Sequence, residues 1–171
     1  TWAEGYGPCG NPDYYQAGLR GGADILDVVA HLRGTKTVRP DRLLLVGWSA
    51  GGWASLAAGS TKPDGLIAVL NFAGGRGGGQ EDGNCTPSRL VEASARFGAA
   101  TRVPTLWLYA ENDHFFAPPL AKDMFAAFTK AGGRGSFTTL PAFRQDGHQL
   151  FPDERGSKLW QPAADAFLSR L

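Results

Sequence analysis

The apolar residues of this chain follow two spacings, and the elements that these spacings predict alternate along its length. Residues 43–46 form an apolar run without alternation, which is typical of a strand covered on both faces. Between such runs, apolar residues three and four positions apart indicate amphipathic helices. The predicted strands are residues 43–46, 66–70, 105–109 and 137–140, the last more polar and near a sheet edge. The predicted helices lie around residues 25–32, ending at Gly34, and around 50–58, 88–97, 119–131 and 160–171.

Strands that alternate with helices predict an α/β fold, with a mostly parallel sheet and helices on both of its faces. The 171 residues, 43% of them hydrophobic, are enough for one sizeable core and too few for two ordinary domains. We therefore expect residues 1–171 to form a single domain. In such sheets, functional residues gather in the loops that follow the carboxyl ends of the strands.

The charge of the chain excludes several classes of partner. Lys and Arg number 17 against 16 Asp and Glu, a net charge of +1, which argues against binding nucleic acid or an anionic membrane surface. The two cysteines are too few for a zinc site. The glycine-rich residues 74–79 lack the Lys-Ser/Thr pair of a phosphate-binding loop and are interpreted as a flexible active-site rim. No metal or cofactor is expected.

The first predicted strand ends in a motif that indicates a nucleophile. It is followed by Gly47-Trp48-Ser49-Ala50-Gly51, a GxSxG pattern, and then by a helix of small residues. A serine at so sharp a strand-to-helix turn adopts a strained backbone conformation that lifts its hydroxyl clear of the sheet. We expect glycine on either side of it because strand and helix pass too close for a β-carbon. The alternative is an ordinary turn with a capping serine.

A nucleophilic serine needs a general base, and the chain has three histidines that could supply it. His31 lies on a predicted helix before the motif, where a solvated or capping side chain is expected. His114 follows the third strand and is expected to line the cleft. A serine at a sharp strand-to-helix turn forms a nucleophile elbow, and in that arrangement the base comes later in the chain than the serine. His148 lies in a glycine-flanked loop after the fourth strand, in the place expected for the base.

The acid that orients the base is expected between Ser49 and the histidine in chain order. Asp113 is preferred to Glu111 because it lies further beyond the end of the third strand. Asp146 is a weaker candidate, since it is so near His148 in sequence that its carboxylate would not easily reach the outer ring nitrogen.

Three segments together resemble a known superfamily: the GWSAG elbow, the YAENDHFFAPP segment at residues 109–119 and the DGHQLF segment at residues 146–151. They are similar to α/β-hydrolases, and most to the dienelactone-hydrolase-like branch, which is related to the catalytic domains of prolyl oligopeptidase-type enzymes. The resemblance implies Ser49 as nucleophile, Asp113 as orienting acid and His148 as general base. It also implies that the backbone N–H of Ala50 stabilises the oxyanion.

The chain departs from that family in two respects. Dienelactone hydrolase itself has cysteine as its nucleophile, so Ser49 favours a serine esterase. The chain also begins where the fourth strand of the family would just have ended, without the early strands and the loop that donates a second oxyanion N–H. We therefore expect an α/β-hydrolase fold lacking its N-terminal strands, completed by an upstream segment or by a second chain.

Four side chains near the predicted triad are candidates for the substrate pocket. Trp48, Phe115 and Phe116 would supply an apolar surface for the acyl or alcohol group, and His114 would line the cleft. For each aromatic residue, ordinary core packing is an equally good interpretation.

The resemblance also bears on Cys9 and Cys85, since it places both in loops that leave the same end of the sheet. A disulfide between them is sterically reasonable. Together with an opening segment similar to exported bacterial members of the branch, it favours a periplasmic or secreted protein. The alternative is a cytoplasmic enzyme with two free thiols.

These observations predict a serine hydrolase that cleaves small carboxylic esters through an acyl-enzyme intermediate, with a small-molecule ester as its partner. A serine peptidase of the prolyl oligopeptidase type is the alternative within the same chemistry. A non-catalytic binding protein with the same fold is the alternative from another class. Such proteins typically lose a triad member, whereas all three candidate residues are present here.

Overall fold

The computed structural model describes residues 5–35, 38–78 and 84–171. In this part of the chain, helices and strands alternate, and two short 3₁₀ turns precede the last helix. The helices are α1 (Tyr14–Thr35), α2 (Ala50–Ser60), α3 (Pro87–Ala100), α4 (Pro118–Lys130) and α5 (Ser157–Leu168). The strands are β1 (Leu43–Trp48), β2 (Leu66–Phe72), β3 (Thr105–Ala110) and β4 (Gly135–Leu140), and the 3₁₀ turns are Gly147–Gln149 and Glu154–Gly156.

The four strands form one parallel sheet in the order β1-β2-β3-β4. The carboxyl ends of the strands therefore lie at one end of the sheet, where the loops after β1, β3 and β4 meet. Strand β4 is the most polar of the four and lies at an edge of this sheet, as its sequence predicts. The α/β fold with a parallel sheet is confirmed.

Side chains of the central strands alternate between two hydrophobic clusters. Trp107 and Tyr109 of β3 face the larger cluster, which includes side chains of α1 to α4. Leu106 and Leu108 face the smaller one, which includes Phe167 of α5. Helices therefore cover both faces of the sheet, as the apolar runs of the sequence predict.

Helix α1 begins at Tyr14, well before the apolar spacing that predicts it. Its first half lacks that spacing because it packs against the neighbouring helices through glycine. A β-carbon on Gly18 would lie 2.7 Å from the ring of Phe97, and one on Gly22 would lie 2.9 Å from the backbone nitrogen of Ala58. Large apolar residues are excluded there, so the helix has no amphipathic signature before residue 25. Gly34 does not end the helix, which continues to Thr35.

Strand β1 differs from the expectation that both of its faces are covered. Leu45 is buried, but Val46 is 47% exposed, and β1 lies at the edge of the described sheet. Nearby, Val28 of α1 is 58% exposed and lines an apolar groove of about 420 Å³ between α1 and the start of α2.

None of the described helices is long and apolar enough to cross a membrane.

We propose that a further strand, from an upstream segment or from another chain, covers the open edge of β1. Residues 1–171 expressed alone are then expected to self-associate, because an unpaired apolar edge is a template for strand pairing. Light scattering after size-exclusion chromatography measures the mass in solution. Val46→Lys should shift the protein towards the monomer, and Leu171→Lys, at another exposed apolar residue, should not. A soluble wild-type monomer would contradict the proposal.

Candidate active site

Ser49 occupies a strained turn between β1 and α2. Its backbone has φ 54° and ψ −125°, a conformation that non-glycine residues rarely adopt. The turn is held by backbone hydrogen bonds: the Ser49 N–H donates to the Phe72 carbonyl at 2.9 Å, and its carbonyl accepts from Trp53 at 3.0 Å and from Gly75 at 3.3 Å. The serine of the GxSxG motif therefore has the strained backbone that the sequence predicts.

The close approach of strand and helix involves one of the two glycines expected, Gly47, and a different second one. A β-carbon on Gly47 would lie 2.2 Å from the carbonyl oxygen of Gly51, so no larger residue fits there. At Gly51, by contrast, a β-carbon would meet nothing within 4 Å, and the expectation for this glycine is wrong. The second tight position is Gly52, where a β-carbon would lie 2.4 Å from Oδ1 of Asn71.

Asp113 follows β3 and is held by hydrogen bonds at the carboxyl end of the sheet, where Ser49 also lies. Its Oδ1 accepts the backbone N–H groups of Phe115 and Phe116, both at 2.8 Å. Its Oδ2 is 3.1 Å from Nδ1 of His148, and Asp113 is only 2% exposed. The carboxylate therefore has one oxygen fixed by its own loop and the other directed at the imidazole.

His148 lies in the 3₁₀ turn after β4 and connects the two other side chains. Its Nε2 is 3.0 Å from Oγ of Ser49, while Nδ1 faces Asp113. With the proton on Nδ1, the ring donates to Asp113 and can accept the serine proton at Nε2. The structure thus brings Ser49, His148 and Asp113 into one hydrogen-bonded row, and their roles in catalysis stay a prediction.

The alternative acids and bases take no part in the hydrogen bonds between the side chains of this row. Asp146 caps the 3₁₀ turn: its Oδ1 accepts the backbone N–H groups of His148 at 2.9 Å and of His114 at 3.2 Å. It therefore shapes the loop and does not contact the imidazole ring. Glu111, His114 and His31 are exposed, and within the described part of the chain the side-chain partner of Ser49 is His148.

Three of the predicted pocket residues surround the imidazole of His148. The ring of Phe115 stacks on it at 4.4 Å, and the rings of Trp48 and Phe116 lie tilted at 5.3 and 5.6 Å. Phe116 is 2% exposed and belongs to the core, so the core interpretation holds for it. Trp48 and Phe115 are half-buried and border the site.

A buried polar network below the elbow was not evident from the sequence. Tyr109 donates its hydroxyl proton to the carbonyl of Gly74 at 2.6 Å and accepts from Nδ2 of Asn71 at 3.2 Å. Burial raises the pKa of Tyr109 far above its ordinary value, so the hydroxyl stays a donor. The network shapes the turn whose Gly75 bonds to Ser49. Its one sequence signal is Asn71, a polar residue at the end of an apolar strand.

The glycine-rich loop after β2 packs closely in its described part, residues 74–78, and its role as a flexible active-site rim stays a prediction. A β-carbon on Gly75 would lie 2.3 Å from the ring of Phe116, and one on Gly77 would lie 2.1 Å from the hydroxyl of Tyr14. Residue 79, which the expectation included, lies outside the described residues.

A disulfide bond joins Cys9 to Cys85, the pairing expected. Around it, Thr86 donates its hydroxyl proton to the carbonyl of Cys9 at 2.8 Å, and Tyr14 donates to the carbonyl of Cys85. Asn84 donates from Nδ2 to the carbonyl of Phe115 at 2.8 Å. The disulfide region is thereby connected to the aromatic residue that stacks on His148. Among the described residues, no group of His, Cys, Asp and Glu could hold a metal ion.

Comparisons with known proteins agree with the fold of this chain. The sequence pattern of the prolyl oligopeptidase family matches residues 13–74, which include the elbow. The structure resembles that of a protein from Klebsiella pneumoniae designated a dienelactone hydrolase, with a TM-score of 0.58 and 18% identity over 80% of this chain and 55% of that one. Esterase PE8 is similar, with a TM-score of 0.61 and 21% identity over 91% and 64%.

A third similar structure is a puromycin-hydrolysing peptidase of Mycobacterium tuberculosis, with a TM-score of 0.55 and 22% identity over 78% of this chain and 24% of that one. No curated protein matches the chain in sequence. The chain therefore has the α/β-hydrolase fold. Within that fold it is similar to dienelactone-hydrolase-like and esterase structures, of whose length it spans 55% and 64%, and it spans 24% of the length of the peptidase.

The glycines of the elbow supply a test with a built-in control. Gly47→Ala should destabilise the protein by about 1–3 kcal/mol, because the new methyl group overlaps a backbone carbonyl that cannot rotate away. Gly51→Ala, four residues on, should change the free energy of unfolding by less than about 1 kcal/mol, because its methyl group enters open space. Denaturant unfolding measures both. Equal losses would mean that the elbow is not packed as described.

Proposed function

We propose that the chain is part of a serine hydrolase that cleaves small carboxylic esters through an acyl-enzyme intermediate. Ser49 is the nucleophile, His148 the general base and Asp113 the group that orients it. The observation that supports this most strongly is the hydrogen-bonded row from Ser49 Oγ through the imidazole to Asp113, built on a strained elbow. A capping serine does not need such a row, and here Ser49 makes no side-chain cap.

In the first half of the reaction, Nε2 of His148 takes the proton of Ser49 as Oγ bonds to the carbonyl carbon of the ester. The electron pair of the carbonyl π bond moves to oxygen, and the imidazolium is stabilised by Asp113. When the tetrahedral intermediate collapses, the bond to the alkoxy group breaks, and the leaving oxygen takes the proton from Nε2. The alcohol departs and the acyl group stays on Ser49.

Deacylation repeats these steps with water in place of the serine. Water gives a proton to Nε2 of His148 as its oxygen bonds to the acyl carbon. The new intermediate then expels Ser49 Oγ, which recovers its proton from the imidazolium, and the carboxylic acid leaves. No redox step is needed, and the residues of the row return to their starting state.

The oxyanion of each intermediate accepts a hydrogen bond from the backbone N–H of Ala50. Ala50 is the first residue of α2, an 11-residue helix, and the N–H groups of a first helical turn have no partner within the helix. The positive end of the helix dipole lies there as well, which favours developing negative charge. The further strand proposed beside β1 belongs to the same part of the fold and would bring the second donor.

A serine peptidase is the second candidate, and one observation favours it. The pattern matched over residues 13–74 is that of the prolyl oligopeptidase family. The row of Ser49, His148 and Asp113 suits amide and ester hydrolysis equally, so the preference depends on the pocket. Comparing p-nitrophenyl acetate with aminoacyl p-nitroanilides measures it directly, and faster amide turnover would favour the peptidase.

We also propose that the protein works outside the cytoplasm, in the periplasm or after secretion. The support is the disulfide between Cys9 and Cys85, because such bonds persist in oxidising compartments and are rare in the cytosol. The disulfide joins the segment before α1 to the loop before α3. It lies at the carboxyl end of the sheet, as the candidate triad does.

Labelling with a fluorophosphonate tests the proposed nucleophile. The wild-type protein should take up one probe at Ser49. Ser49→Ala should abolish both labelling and ester turnover while leaving thermal stability near wild type, because the substitution removes one hydroxyl group and leaves the backbone hydrogen bonds of the turn in place. Ser88→Ala, at an exposed serine of α3, is the control and should label normally. An unlabelled wild type would favour a non-catalytic binding protein with this fold.

The disulfide should be present in protein purified without reductant and should contribute to stability. It closes a loop with a sequence separation of 76 residues. By restricting the unfolded chain, a loop of that size adds about 4 kcal/mol to the free energy of unfolding. Mass spectrometry before and after reduction detects the bond, and denaturant unfolding in both states measures its effect. Two free thiols in the unreduced protein would remove the argument for export.

A further inference from the structure

His148 is supported by a loop and not by a helix or strand. Between β4 and α5, the described structure contains only the 3₁₀ turns Gly147–Gln149 and Glu154–Gly156. The position of its imidazole therefore depends on the hydrogen bonds that hold this loop. Since a displacement of about 1 Å can cost on the order of 10² in rate, these bonds matter for the proposed reaction.

One group of bonds fastens the loop to the segment that contains Asp113. The N–H of Gly147 donates to the carbonyl of Asn112 at 3.0 Å. The side chain of Asn112 in turn accepts from the N–H of Phe143 at 2.8 Å and donates to the carbonyl of Arg144 at 3.1 Å. Base and acid are thus held together as one unit, but these bonds do not fix the distance of that unit from Ser49.

The bond to the nucleophile side comes from Trp48. Its indole Nε1–H donates to the backbone carbonyl of His148 at 2.8 Å, across 100 positions of sequence. Among the described residues, this bond and the contact between Ser49 and the imidazole are the hydrogen bonds that join the elbow to the His148 loop. Trp48 directly precedes Ser49 in the chain. Its indole hydrogen bond therefore connects the backbone next to the nucleophile with the backbone of His148.

We propose that Trp48 is a positioning residue: its indole N–H sets the distance between the His148 imidazole and Ser49. The inference rests on the proposed function. The ring of Trp48 also lies 5.3 Å from the imidazole, and Phe115 stacks on it at 4.4 Å. The indole therefore limits rotation of the imidazole as well as fixing its backbone.

This role differs in its consequences from the substrate-pocket role expected of Trp48. A pocket wall contacts the acyl chain, so its removal changes the preference among acyl lengths. A positioning residue acts on the proton transfer that all substrates share, so its removal lowers turnover equally for all of them and leaves KM nearly unchanged.

The test compares Trp48→Phe with Trp160→Phe in the natural protein. Phe keeps an aromatic ring but cannot donate a hydrogen bond. Trp160 of α5 packs against Phe72 and Phe151, and its indole nitrogen has no hydrogen-bond partner among the described residues. It is therefore a matched control for the loss of ring size.

The measurements are kcat and KM for the p-nitrophenyl esters of acetate, butyrate and octanoate, and the rate of fluorophosphonate labelling. Trp48→Phe should lower kcat and the labelling rate at least about tenfold, by the same factor for each ester, with KM within about twofold of wild type. Trp160→Phe should stay within about twofold in all of them. A Trp48→Phe enzyme within twofold of wild type would overturn the proposal, as would a loss confined to one acyl length.

A second measurement does not depend on activity. A proton on Nδ1 of His148, facing Asp113, should give a downfield NMR signal, and this signal should broaden or shift in Trp48→Phe and stay in place in Trp160→Phe. If Ser49 is never labelled, the proposed function fails, but this signal still decides whether Trp48 positions the imidazole. An unchanged signal in folded Trp48→Phe overturns the proposal. Should Phe at this position prevent folding, 3-benzothienylalanine, with sulfur in place of the N–H, keeps the ring shape and gives the same readout.

Discussion

The close approach of the Gly47 and Gly51 backbones is the constraint on which the rest of the site depends. Because position 47 has no β-carbon, β1 can turn into α2 within one residue, and Ser49 between them has φ 54°. Such a conformation costs about 1–3 kcal/mol and persists only where its surroundings hold it. Here three backbone hydrogen bonds hold it, and residues 52–60 of α2 are buried without exception.

The parallel sheet supplies the other two members of the candidate site. Asp113 and His148 follow β3 and β4, whose carboxyl ends lie at the same end of the sheet as the elbow. Asn112 fastens the two loops to each other, so acid and base are positioned as one unit. The indole of Trp48 then joins that unit to the strand that ends in Ser49. A row of three side chains from three loops thus depends on a few bonds between loops.

The periphery of the site is connected to the same row. The disulfide fixes Cys85, and its neighbour Asn84 donates to the carbonyl of Phe115, whose ring stacks on His148. Covalent and polar contacts thereby brace the aromatic side of the imidazole. The open edge of β1, with Val46 exposed, is by contrast the least covered part of the described sheet.

The sequence by itself determined the strands, the elbow and the three candidate side chains, because each depends on local pattern or on chain order. It also supported the pairing of Cys9 with Cys85, through the resemblance to α/β-hydrolases. It did not show that, besides Gly47, the position without room for a β-carbon is Gly52 and not Gly51. Nor did it show that the indole of Trp48 bonds to a residue 100 positions away. Only the tertiary structure decided these, because they depend on distances between segments that no local pattern encodes.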